Sequence, residues 1–196
     1  MRRSEIERNT LETKIQLSLE LDGTGNAMID TGVGFLNHML TLFAKHGRFD
    51  LEVICHGDTD VDDHHSVEDI GIALGDAFAG ALGDCRGIRR YADILLPMDE
   101  ALVMLAVDVS GRGMLTMDLQ LNAQKVGTFD TELVEEFLVA FTRHAGITLH
   151  VRKITGHNTH HVIEAAFKGL GRVMREAVKI DPETAGEIPS TKGVLV

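Results

Sequence analysis

Three things are scarce in this chain of 196 residues, and each scarcity narrows what it can do. Cysteine occurs twice, as Cys55 and Cys85, with no CxxC pair; each is expected to be a buried, reduced thiol, which suits a reducing compartment. Positive charge is short. Lys and Arg number 19 against 30 Asp and Glu, a net charge of −11. That balance argues against nucleic acid, which is gripped through massed basic side chains. It still leaves room for a small phosphorylated molecule, which a few well-placed cations can hold. Long apolar runs are missing too, because Asp, Lys and Gly break every one, so no membrane span is expected. No apolar stretch follows Met1-Arg2-Arg3-Ser4-Glu5, so no signal peptide is expected and a cytoplasmic location is.

Histidine, by contrast, is plentiful at ten copies, and its placement follows a repeated pattern. Ile15, Leu17, Leu19 and Leu21 alternate with polar residues, the period-two mark of a strand with one wet face. After the turn Asp22 to Asn26, residues 27–31 read as a return strand. Phe35, Leu36, Met39, Leu40, Leu42 and Phe43 have helical spacing, with Gly47 as the stop. A strand through Leu51, Val53 and Cys55 and a helix over 67–82 complete the set. The order returns as a strand over 101–107, a partner strand through Leu115, Met117, Leu119 and Leu121, a helix over 131–144, a strand over 148–154 and a helix over 160–178. His46 and His144 close the first helix of each half, 98 positions apart; His64-His65 and His160-His161 open the second, 96 apart. This predicts an internally duplicated α+β fold, with halves 1–96 and 97–196, each running strand, strand, helix, strand, helix. The sheets are expected to be mostly antiparallel, with the helical faces buried between them.

Each second helix opens on the same signature, His64-His65-Ser66-Val67-Glu68 and His160-His161-Val162-Ile163-Glu164. Positions i and i+4 of a helix share a face, so His64 can share a cation with Glu68, and His160 with Glu164. His65 and His161 point about 100° away and are free to reach a second ion. His38 is a third contributor, and its counterpart at the 98-residue offset is Glu136. Imidazole and carboxylate without thiolate suit Mn, Fe, Co, Ni or Zn, and affinity order alone does not choose among them. The loop Asp58 to Asp63 lacks the glycine and distal glutamate of a calcium loop; it reads as solvated, with Asp62 or Asp63 capping the next helix. Gly32-Val33-Gly34 reads as a turn, too short to cradle phosphate. Arg89-Arg90, Arg112 between two glycines, and Ser190-Thr191-Lys192 stand out as anion-binding candidates in an acidic chain.

Several segments together, Arg8 to Thr13, Gly34 to Met39, Asp63 to Asp69, Pro97 to Ala101, Asp108 to Arg112, His157 to Glu164 and Ser190 to Gly193, resemble the imidazoleglycerol-phosphate dehydratase family over nearly the whole chain. No phosphatase-type domain is visible, which points to the single-function form. The resemblance implies two Mn(2+) per active site, helices packed between two sheets, and a shell of twenty-four subunits with sites at subunit contacts. It implies His38, His64, His65, Glu68, His160, His161 and Glu164 as ligands; many relatives carry histidine where this chain has Glu136. It implies substrate contacts from Glu12, His46, Arg90, Arg112, Ser190 and Lys192, with Thr191 between the last two and Arg89 without such support. The reaction it implies removes water from a glycerol chain on an imidazole ring, giving imidazole-acetol phosphate. No carbonyl lies beside the departing hydrogen, so the ring itself has to take up negative charge and push out the neighbouring hydroxyl. A diazafulvene-like species would then make the side-chain proton acidic, and Glu12 is expected to move it. Two other readings use the same ligands: a two-metal hydrolase of a phosphorylated or amide substrate, and a metal-buffering protein.

Overall fold

The computed structural model describes residues 2–195; Met1 and Val196, the outer ends of the two expected halves, lie outside it. The first half contains β1 (Arg3–Asn9), β2 (Thr13–Glu20), β3 (Ala27–Asp30), α1 (Gly34–Gly47), β4 (Asp50–Gly57) and α2 (His64–Leu82). The second contains β5 (Tyr91–Met98), β6 (Ala101–Asp108), β7 (Met114–Asp118), the short pair β8 (Lys125–Val126) and β9 (Phe129–Asp130), α3 (Leu133–Ala145), β10 (Thr148–Thr155) and α4 (Thr159–Ala177). The class is α+β. Each half opens with one strand more than the pattern predicted, β1 and β5. β1 has a single apolar residue, Ile6, and β5 carries Pro97, so both read poorly as strands; both lie at sheet edges, where polar residues and proline are tolerated.

The sheets run β1-β2-β4-β3 and β5-β6-β10-β7, the same order in both halves. The return strands are not hairpin partners of β2 and β6. β3 pairs parallel with β4, and β7 parallel with β10, each at the far edge. The link from β2 to β3 therefore passes over the start of β4, where Asp50 Oδ1 accepts hydrogen bonds from the backbone of Thr24, Gly25 and Asn26 at 2.8, 3.0 and 2.9 Å. The remaining pairings are antiparallel. Each half is thus a hairpin joined to a β-α-β unit, closed by a second helix.

Helices pair across the halves, α2 with α3 and α1 with α4, and all four run the same way. His38 meets Glu164 near the starts of α1 and α4, while Gly47 and Gly171 touch near their ends. Gly71 packs on Phe137, and farther along Asp76 pairs with His144. Phe43, Phe78 and Phe141 bring the C-terminal halves of α1, α2 and α3 together, with centroids 5.5–6.3 Å apart. At the other end Phe35 meets Phe129 at 5.2 Å and the His160 ring at 5.3 Å. The four helix N-termini therefore gather at one end of the molecule. Gly47 is not the stop. It is the last residue of α1, and the left-handed cap is Arg48 at φ 55°. A Cβ on Gly47 would strike Phe49, so this glycine serves close packing. Among the described residues, no helix is long and apolar enough to cross a membrane. Both thiols are free; Cys55 is buried as expected, but Cys85 is only partly covered.

Candidate active site

α4 begins with the carboxamide of Asn158 accepting from the backbone N–H of His160 and His161 at 3.0 and 3.4 Å. One turn on, Glu164 lies under His160, with Nε2 of His160 3.1 Å from Oε2 of Glu164. α1 brings His38 from across the helix pair, its Nε2 3.5 Å from the same oxygen. These three are the one group among the described residues whose histidine, cysteine or carboxylate ligand atoms all lie within 4.8 Å of one another. Glu164 is only 8% exposed, and its other oxygen takes an ion pair from Lys168 at 2.5 Å. Burial works to raise the Glu164 carboxyl, but Lys168, His160 and His38 together hold it below its ordinary value.

α2 repeats the motif more loosely. His64 Nε2 stands 4.0 Å from Glu68 Oε2, and Asp62 caps the helix by accepting from His64 N at 2.8 Å. Asp63, the other expected cap, makes no side-chain capping bond. Glu136 lies in the first turn of α3, partly covered, and is not drawn with His64 and Glu68 into a group as tight as the first. The adjacent histidine rings are set alike: His64 to His65 and His160 to His161 are both 6.2 Å between centroids and 83° between planes.

His65 and His161 each rest on a carboxylate. Asp58 reaches Nδ1 of His65 at 3.0 Å, so the loop read as solvated does hold a ring in place. Glu100 reaches Nδ1 of His161 at 2.7 Å. By accepting a hydrogen bond from the ring, Asp58 raises the His65 pKa and Glu100 the His161 pKa. Glu12, in the turn between β1 and β2, lies 3.7 Å from Nε2 of His65. Its turn is anchored to α2 through buried Asp69, which takes Arg8 at 2.8 Å and Thr13 Oγ1 at 2.5 Å.

The cations lie elsewhere. Arg90 and Arg112 converge on Asp108, at 2.7 and 3.8 Å. Arg90 also donates to Pro189 O at 2.7 Å, fixing the tail that carries Ser190, Thr191 and Lys192. Ser190 Oγ accepts from Lys192 N at 3.2 Å. Arg89 pairs instead with Glu176. The backbone N–H of Arg90 bonds Ala177 O, at the end of α4 away from His160. Nineteen helical residues separate those ends, about 28 Å at 1.5 Å per residue. One chain therefore does not bring its histidine clusters and its Arg90–Arg112–tail group together. His46 lies between; burial, then Lys168 and Arg172, lower its pKa.

Three participants escaped the sequence reading: Lys168, Asp58 and Glu100. Lys168 had a signal, since it follows Glu164 by four positions and so shares its face. Asp58 and Glu100 reach their histidines through the fold, from seven and 61 positions away.

The chain matches the family model described as imidazoleglycerol-phosphate dehydratase over residues 31–174. A protein of that name from Xanthobacter autotrophicus is 57% identical over 195 residues, covering 100% of this chain and 99% of the relative. One from Azorhizobium caulinodans is 58% identical with the same coverage. Among solved structures, the Staphylococcus aureus imidazoleglycerol-phosphate dehydratase superposes with a TM-score of 0.84 at 42% identity, over 91% of this chain and 99% of that one. The Pyrococcus furiosus structure, in complex with (S)-C348, gives 0.83 at 35% identity over 97% and 100%. With full-length identity, matching architecture and a family model spanning most of its length, this chain belongs to the imidazoleglycerol-phosphate dehydratase family.

Proposed function

We propose that this chain converts imidazoleglycerol phosphate to imidazole-acetol phosphate in histidine biosynthesis by a metal-dependent loss of water. Family membership makes it a hydro-lyase. The metal reading is carried by one observation, the convergence of His38, His160 and Glu164 ligand atoms within 4.8 Å. The donor chemistry fits a divalent cation. Glu164 is buried with one oxygen neutralised by Lys168, which leaves the other, between two imidazoles, for a cation. His38, His160 and Glu164 would hold one ion, and His64, Glu68 and Glu136 the other. His65 and His161 would reach ions from a neighbouring copy. Two Mn(2+) per site suit this set of imidazoles and carboxylates. Bound to the substrate ring, such cations would lower the energy of negative charge on the imidazole and on a departing hydroxyl.

The chain's own groups do the rest. Glu12 would take the side-chain proton, standing half exposed beside His65. Arg90 and Arg112, already oriented by Asp108, would hold the phosphate with Ser190, Thr191, Lys192 and His46. Since these groups lie at opposite ends of one chain, the complete site would form between subunits. A twenty-four-subunit shell working in the cytoplasm is the assembly we infer.

The test is elemental analysis of purified protein beside turnover of imidazoleglycerol phosphate. About two tightly held ions per chain, with dehydration and no free phosphate, is the expected result. Release of inorganic phosphate would favour a hydrolase, and a variable metal count without turnover would favour storage.

A further inference from the structure

The turns β1–β2 and β5–β6 match in length, although Asp99 is left-handed at φ 49° and neither central residue of the first turn is. Each has two central residues: Leu11-Glu12, closed by Thr10 N donating to Thr13 O at 2.9 Å, and Asp99-Glu100, closed by the Met98–Ala101 pair. Glutamate is second in both, and each lies beside the second histidine of a His-His motif. Their freedom differs. Glu12 is 53% exposed, and its carboxylate accepts no hydrogen bond among the described residues. Glu100 is held at both oxygens. Oε1 accepts from the backbone N–H of Asn158 at 2.8 Å and of His157 at 3.3 Å, and Oε2 faces His161 Nδ1 at 2.7 Å. The bonds at Oε1 tie the carboxylate to the entry of α4, so Oε2 stays on the ring.

An ionised carboxylate only accepts, so Nδ1 of His161 must carry the hydrogen and the lone pair of the neutral ring falls on Nε2. The nearest alternative partner for Nε2, Asp99, lies 3.7 Å away, outside hydrogen-bond range. We propose that Glu100 is a positioning residue: it locks His161 in the Nδ1–H tautomer and aims Nε2 outward as the donor to a divalent cation, while its counterpart Glu12 is left free for proton transfer. The donor half of this proposal rests on the metal reading above; the tautomer half does not.

The experiment compares wild type, Glu100→Ala and Glu100→Gln. Metal-stripped, 15N-histidine-labelled protein is sedimented and its ring nitrogens are read by magic-angle-spinning NMR at about pH 9, above the imidazole range. His161 is assigned by loss of its signals in His161→Gln. Wild type is expected to show Nδ1–H and both variants to lose it: Glu100→Ala leaves no acceptor, and in Glu100→Gln the one oxygen goes to the Asn158 and His157 N–H groups, so the amide NH2 faces Nδ1 and donates to it. Manganese titration should then weaken about 10–100-fold in both variants. An Nε2–H ring in wild type overturns the proposal even if Glu100→Ala fails to fold. So does a folded Glu100→Ala with unchanged tautomer and affinity. Wild type that binds no manganese would instead sink the metal reading, and the spectra would still decide the tautomer.

Discussion

Glu12 has the two properties a proton-moving carboxylate needs: access to solvent and a backbone turn that is held in place. Its side chain is half exposed 3.7 Å from His65, and the Arg8–Asp69–Thr13 network fixes its turn on α2. Glu12→Gln keeps size and shape and removes only the titrating oxygen. Turnover should fall by about 10²–10⁴-fold, with metal content and assembly unchanged. Full activity would remove Glu12 from the mechanism. At this scale the sequence told a good deal about candidate donor side chains and little about what orients them. A doubled His-His-x-x-x-Glu reads directly as stacked donors, because i and i+4 fall on one face whatever else the fold does. Asp58 and Glu100 carry no such mark. A lone carboxylate in a turn looks solvated until the sheet brings that turn over a helix start.

Helices α1 and α4 approach so closely that backbone meets backbone. A Cβ on Gly171 would lie 2.4 Å from Phe43 O and 2.9 Å from Gly47 N, atoms that cannot swing aside. Gly171→Ala gains about 1 kcal/mol in helix propensity, but overpacking of this kind costs typically about 1–3 kcal/mol. The clash is expected to win, because relieving it means separating the helices that carry His38 and Glu164. Gly80 is the control. It is exposed in α2, and its added Cβ would meet Ser4 alone: Oγ at 2.7 Å, which can rotate, and Cβ at 3.3 Å, which needs only a few tenths of an ångström of give. Thermal unfolding should show Gly171→Ala melting below wild type and Gly80→Ala at or above it; equal melting points would refute the packing argument. Legibility at this scale followed hydrophobic periodicity. The four helices and the inner strands β2, β4, β6 and β10 announce themselves through alternating or helical apolar patterns. The edge strands β1 and β5 do not: β1 has one apolar residue, and β5 is apolar on both faces and carries Pro97, so neither alternates. Parallel pairing of β3 and β7 was invisible too, because a short turn after a strand looks like a hairpin until its exit is seen crossing the next strand's end.

The common direction of the four helices separates two sets of groups within one chain. Metal-ligand candidates His38, His64, His160 and Glu164 sit near the helix starts, while Arg112 follows β6 and packs by the end of α3, where Gly113 lies against Arg143. A substrate far shorter than a helix of about 28 Å cannot touch both ends. If activity needs both, the two ends must come from different copies, and that makes a prediction about mixtures. His64→Ala removes a candidate ligand at one end; Arg112→Ala removes an exposed cation at the other, losing a long pairing to Asp108 and a 3.3 Å hydrogen bond to Ser110 O. Each variant alone should be inactive. Co-expressed with separate tags and purified as mixed assemblies, they should recover about one quarter of wild-type activity, because random assembly gives each site an intact contributor at both ends that often. Sites made within a single chain would recover nothing, since every chain in the mixture carries one lesion.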